Sequence, residues 1–358
     1  MAKLEGAVTP TEIAEHIDSV TFDPEQTLPN HLTSVSIEAL NEGEYYLRAH
    51  HGKQDLVEQG QFAPLLLQLP KLIESKLSPE NLVGEIDTCN ATLQSHPSCL
   101  VGRFLRWLTH QINVEEATPA CLTIADHTNL GIPWELLEVE EMPLGAAVQT
   151  IHHCPDIQKT ETVEPFCSGE VLAYAAVPSQ RWQATYRWQH YSEFDQFLGN
   201  LQKSKASYGL VYIDGFEVPE ALRLNPTAYI KRSRLLKSQA SLVFINGQML
   251  FDESVSLSHL AFLNLFLRYG ARGVIGTQKR VKAEMAQQVV EMFFSGCQAH
   301  RPDAPITVPA MLQQMRRQVY ERLEEEISDD SCALYLATFL YVYYGNPQTL
   351  LQLPPADT

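Results

Sequence analysis

Ser241-Leu242-Val243-Phe244-Ile245-Asn246-Gly247-Gln248 holds a short apolar run of β-formers that breaks off into polar residues. Similar runs stand on either side of it: Cys121 to Ala125, Val171 to Val177 and Leu210 to Ile213 before it, and Gly273 to Ile275 after it. Between and beyond them lie longer stretches of helical period, at Tyr191 to Leu201, Leu257 to Tyr269, Val281 to Phe294, Pro309 to Glu326 and Ser331 to Tyr343. Such alternation predicts an α/β fold, a mainly parallel sheet with helices on both faces. Ligand sites in that architecture lie at the carboxyl ends of strands, so the residues just after each run are the ones to read for chemistry. No Gly-rich phosphate loop follows any run, which argues against a nucleotide-binding version.

Upstream the pattern differs. Leu32 to Ile37 and Glu44 to Ala49, separated by Asn41-Glu42-Gly43, read as a β-hairpin, and Phe62 to Leu77, Gly84 to Ser95 and Val101 to Ile112 read as helices. Residues 1–30 hold one short helix signal, Thr9-Pro10 with Glu12, and read as an extension. The expected organisation is an extension over 1–30, a hairpin and helical part over 31–118, and an α/β core over 119–354.

The formal charge is -17, which disfavours nucleic acid and anionic lipid as partners. The seven cysteines, Cys89, Cys99, Cys121, Cys154, Cys167, Cys297 and Cys332, show no CxxC spacing and suit reduced thiols in a cytoplasmic protein. No stretch approaches the roughly 20 apolar residues that span a bilayer. The acidic run Glu321 to Asp330 reads as a solvated helix end, whereas Phe216 to Gln239 is a locally basic connection carrying Arg223, Lys231, Arg232, Arg234 and Lys237.

Four segments, in order, resemble the CHAT family, caspase-like domains of the clan that also holds separase and the gingipains. Asn129-Leu130-Gly131-Ile132-Pro133-Trp134-Glu135-Leu136-Leu137 is similar to the family's Ile-Pro-Trp-Glu-Leu-Leu segment; physically, its Pro fixes the entry to a short element and its Trp anchors it. Ser241 to Gln248 resembles the strand that delivers the nucleophile. Phe266 to Gln278 looks like the helix, tight turn and strand that follow, and Leu340-Tyr341-Val342-Tyr343-Tyr344-Gly345-Asn346-Pro347 resembles the closing Tyr-Gly-Asp/Asn-Pro. The resemblance implies a caspase-like fold, no cofactor, and a cysteine peptidase site built from a His after one strand and a Cys after its neighbour.

This sequence departs from the family at both positions. Where the family has a Gly-His-Gly-like turn, the strand ending at Ile213 continues Asp214-Gly215-Phe216-Glu217, so either Phe216 or Asp214 takes the place of the His, depending on which glycine matches Gly215. Gln248 takes the place of the Cys, and an amide is neither nucleophilic nor open to activation by a base. Loss of a triad nucleophile costs on the order of 10⁶ in turnover. The expectation is a pseudoprotease serving as a protein-binding or regulatory module in bacterial signalling or defence, beside an active CHAT protease or the TPR-type partner that the family implies.

Other constellations are weaker. Asp126, Asp214, Asp252 and Glu253 follow strands and could converge into an acidic pocket that binds a Lys- or Arg-bearing peptide, the blander reading being a solvated rim, while Arg223, Lys231, Arg232, Arg234 and Lys237 are the candidate partner contact. His152-His153-Cys154 reads as structural, because adjacent side chains diverge. His50-His51 has no further ligand at zinc spacing, so no metal is expected. The rival function is a working cysteine peptidase with displaced machinery, using Cys154, Cys167 or Cys297, the last with His300 three residues on.

Overall fold

In a computed structural model that describes residues 32–41, 43–96, 98–112, 120–153, 166–175, 180–203, 208–214, 241–246, 266–267, 271–299 and 306–356, the apolar runs become strands. The chain opens with β1 (Leu32–Asn41), β2 (Glu44–His51) and β3 (Gln54–Gly60), then α1 (Pro64–Ile73), α2 (Pro79–Ser95) and α3 (Leu100–Thr109). Next come β4 (Cys121–Asp126), a 3-10 turn (Trp134–Leu136), β5 (Glu138–Val139), β6 (Met142–Pro143), α4 (Leu144–Ala147), β7 (Gln149–His152), β8 (Phe166–Ser168) and β9 (Glu170–Tyr174). The rest comprises α5 (Gln180–Thr185), β10 (Trp188–Tyr191), α6 (Phe194–Lys203), β11 (Tyr208–Asp214), β12 (Leu242–Asn246), β13 (Gly273–Thr277), α7 (Ala283–Ala299), α8 (Val308–Glu325), α9 (Asp329–Leu340), β14 (Tyr341–Gly345) and β15 (Leu350–Gln352).

Sequence explains where the helices start. Ser78 caps α2 by accepting from the Asn81 N–H with Pro79 next in line, Thr307 caps α8 in the same way, and Ser328 with Ser331 forms a capping box on α9.

Among the described residues one sheet of eleven strands runs β10-β9-β11-β12-β13-β14-β7-β4-β1-β2-β3. It is α/β and mostly parallel, as expected. Because β1 pairs with β4, the hairpin region and the core share this sheet, and β3 extends the hairpin to a third strand. Leu172, Val211, Val243 and Val274 align across one face of β9 and β11–β13, and Ala173, Tyr212, Phe244 and Ile275 across the other, all buried. Tyr174 on the first face packs edge-on to Phe194 of α6 at 5.1 Å between ring centroids, and Phe244 on the second meets Phe293 of α7 at 4.8 Å. Helices thus cover both faces, which is why these strands read as unbroken apolar runs.

The direction of the sheet reverses once in its middle. β9 to β13 are parallel, β14 is antiparallel to β13, and β14, β7, β4 and β1 are again parallel to one another. Two parallel blocks therefore point opposite ways across the β13/β14 seam. The helical period extended to Tyr343, but α9 stops at Leu340 and Tyr341–Gly345 becomes this seam strand. Among the described residues no helix is long and apolar enough to cross a membrane.

Candidate functional site

Strands β11 and β12 are parallel neighbours, and Asp214 stands in register with Asn246. The segments beginning at Gly215 and Gly247 consequently leave the same edge from adjacent strands, where α/β sheets place their sites. Asn246 is buried and accepts a 2.6 Å hydrogen bond from the Tyr341 hydroxyl of β14. Burial pushes the Tyr212 hydroxyl well above the ordinary phenol range, with the Asp214 charge adding to it, so it stays neutral beside Asn246. Asp214, one of the two positions that the resemblance offers for the His, closes β11; the other, Phe216, and Gln248, which it sets against the Cys, lie outside the described residues. So do Asp252, Glu253, Arg223, Lys231, Arg232, Arg234, Lys237, Cys154 and His300.

Asp126 does not join Asp214. β4 belongs to the block that runs opposite to β11, with four strands between them, so Asp126 terminates at the other edge of the sheet. Its carboxylate is already engaged: one oxygen accepts the Thr128 N–H (2.9 Å) and hydroxyl (2.6 Å), and the other accepts the Trp134 indole N–H (2.9 Å). The expected convergence of these two carboxylates fails because sheet direction is a long-range property that residue order along single strands does not carry. The bonds explain instead how Trp134, fully buried against Phe104, keeps its one polar atom satisfied. Trp134→Phe is expected to leave an Asp126 oxygen without its donor and to cost about 1–3 kcal/mol, read as a lower urea midpoint with an unchanged slope.

Sequence reasoning missed the most heavily buried charges. Glu135 and Arg316 are inaccessible, and Glu135 Oε1 accepts from His152 Nε2 at 2.7 Å and lies 3.8 Å from Arg316 Nη2. Arg316 also donates to the Thr150 hydroxyl (2.8 Å) and to the Tyr341 carbonyl (2.6 Å). Burial by itself would raise the Glu135 carboxyl, but the charge and hydrogen bond of His152 and the charge of Arg316 outweigh it and hold it below the usual carboxylate range. A signal was present: one carboxylate inside Ile132-Pro133-Trp134-Glu135-Leu136-Leu137, and one guanidinium among Leu312, Met315, Val319 and Leu323 on the apolar face of α8.

Burial, with the His127 charge adding to it, lowers the affinity of His153 for its proton. The unfolded chain binds that proton more readily, so the contribution of His153 to stability is complete above the ordinary histidine value near 6.5 and is lost as pH falls below it. Thermal unfolding from pH 7.5 to 5.5 is expected to show a falling midpoint, and His153→Gln to flatten that slope.

Five of the described thiols offer little nucleophile. Burial pushes Cys89 and Cys121 up to about 11 and Cys167 up to about 12, and it raises Cys297 and Cys332 as well. Cys121 donates to Gln149 Oε1, and Cys297 Sγ sits 3.9 Å from Met311 Sδ. His50 is bonded to Asp55 at 2.5 Å and His51 to Thr33 at 2.7 Å.

No protein-family model matches the chain, and a search of curated proteins finds no significant match.

Proposed function

We propose that this chain is a CHAT-type caspase-like scaffold without its nucleophile and base, acting as a protein-binding or regulatory module. In this reading it works in the cytoplasm beside an active CHAT protease or a TPR-type partner, in bacterial signalling or defence. One observation carries the proposal. β11 and β12 are adjacent, parallel and in register at Asp214 and Asn246, so the segments containing Phe216 and Gln248 start from the two neighbouring strand ends at which the resemblance places His and Cys. The hydrogen bonds of Trp134 to Asp126 and of Glu135 to His152 add to it, since they anchor the Pro-Trp-Glu segment against the sheet. The basic connection with Arg223, Lys231, Arg232, Arg234 and Lys237 is the partner contact, contrasting with a net charge of -17.

Proteome-derived peptides incubated with the purified chain and sequenced by mass spectrometry test the proposal. No new termini are expected. Cleavage that disappears on Cys154→Ala, Cys167→Ala or Cys297→Ala would replace it with the reading of a working cysteine peptidase.

A further inference from the structure

We infer that Arg316 is a positioning residue for the edge at Asp214 and Asn246, coupling the buried Pro-Trp-Glu segment to that edge through β14; this rests on reading the edge as the functional one. The contacts form a path that runs through the covalent frame of Tyr341, from its carbonyl to its hydroxyl. Glu135, bonded to His152, faces Arg316; Arg316 donates one arm to Thr150 of β7 and the other to the carbonyl of Tyr341; and the Tyr341 hydroxyl donates to Asn246, the last residue of β12. Arg316 thereby bridges β7 and β14, whose register among the described residues is a single pair, His152 with Tyr344.

Arginine suits the task because its planar fork reaches two acceptors at once while staying charged opposite Glu135. Tyr341 suits the other end, being the first residue of β14 and paired with Thr277 of β13, so its side chain lies under the carboxyl edge of the opposite block. A shift of the guanidinium must move the start of β14, and with it the hydroxyl that holds Asn246. Both ends are buried, so solvent does not dissipate the coupling.

The test uses the full chain carrying Asp214→Cys as a reporter of the edge, with its alkylation by iodoacetamide as the readout. Thr150→Val and Tyr341→Phe are introduced singly and together; both keep side-chain shape, and the two hydroxyls bond different partners, Arg316 and Asn246. Coupling through Arg316 predicts that the double substitution departs from the product of the single effects by about three-fold or more in rate, and that Arg316→Lys, which keeps the charge but cannot span both acceptors, reproduces much of the change. Ile86→Val, a core change off this path, is expected to leave the rate alone. Multiplicative effects within about two-fold, or an equal response to Ile86→Val, would overturn the inference alone. A reporter thiol as unreactive as the buried ones in every background would overturn the reading of the edge as well.

Discussion

Replacing Arg316 with alanine is expected to lower stability by about 3–5 kcal/mol, the range seen when one member of a buried ion pair is removed. The cost comes from what remains. Glu135 is left fully buried with one oxygen on His152 and the other, Oε2, without a hydrogen-bond partner among the described residues even before the change. The Thr150 hydroxyl and the Tyr341 carbonyl lose their donor at the same time. Arg316→Met with Glu135→Gln is expected to recover part of the loss, because no net charge then stays in the core. Urea denaturation followed by tryptophan fluorescence measures both; a loss below about 1 kcal/mol for the single change would mean that the cluster is solvated or idle.

Gly102→Ala is expected to be nearly as damaging, at about 3 kcal/mol or more, the upper end for overpacking. A Cβ at this position of α3 would lie 2.1 Å from the Leu93 carbonyl oxygen, in the last turn of α2, and backbone cannot swing aside as a side chain can. The helices must separate, and the buried Leu93, Val101 and Leu105 would lose contact. Gly84 is the internal control: it is also helical, in α2, but a Cβ there meets nothing within 4 Å. Gly84→Ala is expected to stabilise by about 0.5–1 kcal/mol through reduced freedom of the unfolded chain. Thermal scans of the pair should move in opposite directions.

Leu210 to Ile213 and Leu242 to Ile245 were legible as strands because both their faces are buried, leaving runs with no polar interruption. β3 was not, since Gln54–Gly60 is a half-exposed edge strand with polar residues on both sides. Tyr341–Gly345 follows α9 without a breaker, so its apolar residues extended the helical period until tertiary pairing with Gly273–Thr277 took over. That pairing reverses the sheet, and no local pattern announces it. Asp126 consequently ends at the opposite edge from Asp214, which shares its own edge with Asn246. Glu135 of the Pro-Trp-Glu segment takes its physical role from Arg316 and His152, which only the folded chain brings beside it.

The degenerate-site reading requires the segments that start at Gly215 and Gly247, from strand ends in register at Asp214 and Asn246, to bring position 216 or 214 up to position 248, where the sequence has neither His nor Cys. The most direct measurement is the pH dependence of alkylation of the thiol introduced by Gln248→Cys, alone and with Phe216→His or Asp214→His. Alone, the thiol is expected to titrate near the free value of about 8.5. With the imidazole at the matching position, the midpoint is expected to fall by at least about one unit, as a neighbouring imidazolium lowers a thiol, and the substitution that produces the fall identifies the register. A profile unmoved by either histidine would show that the two turns do not meet, contradicting the degenerate-site reading.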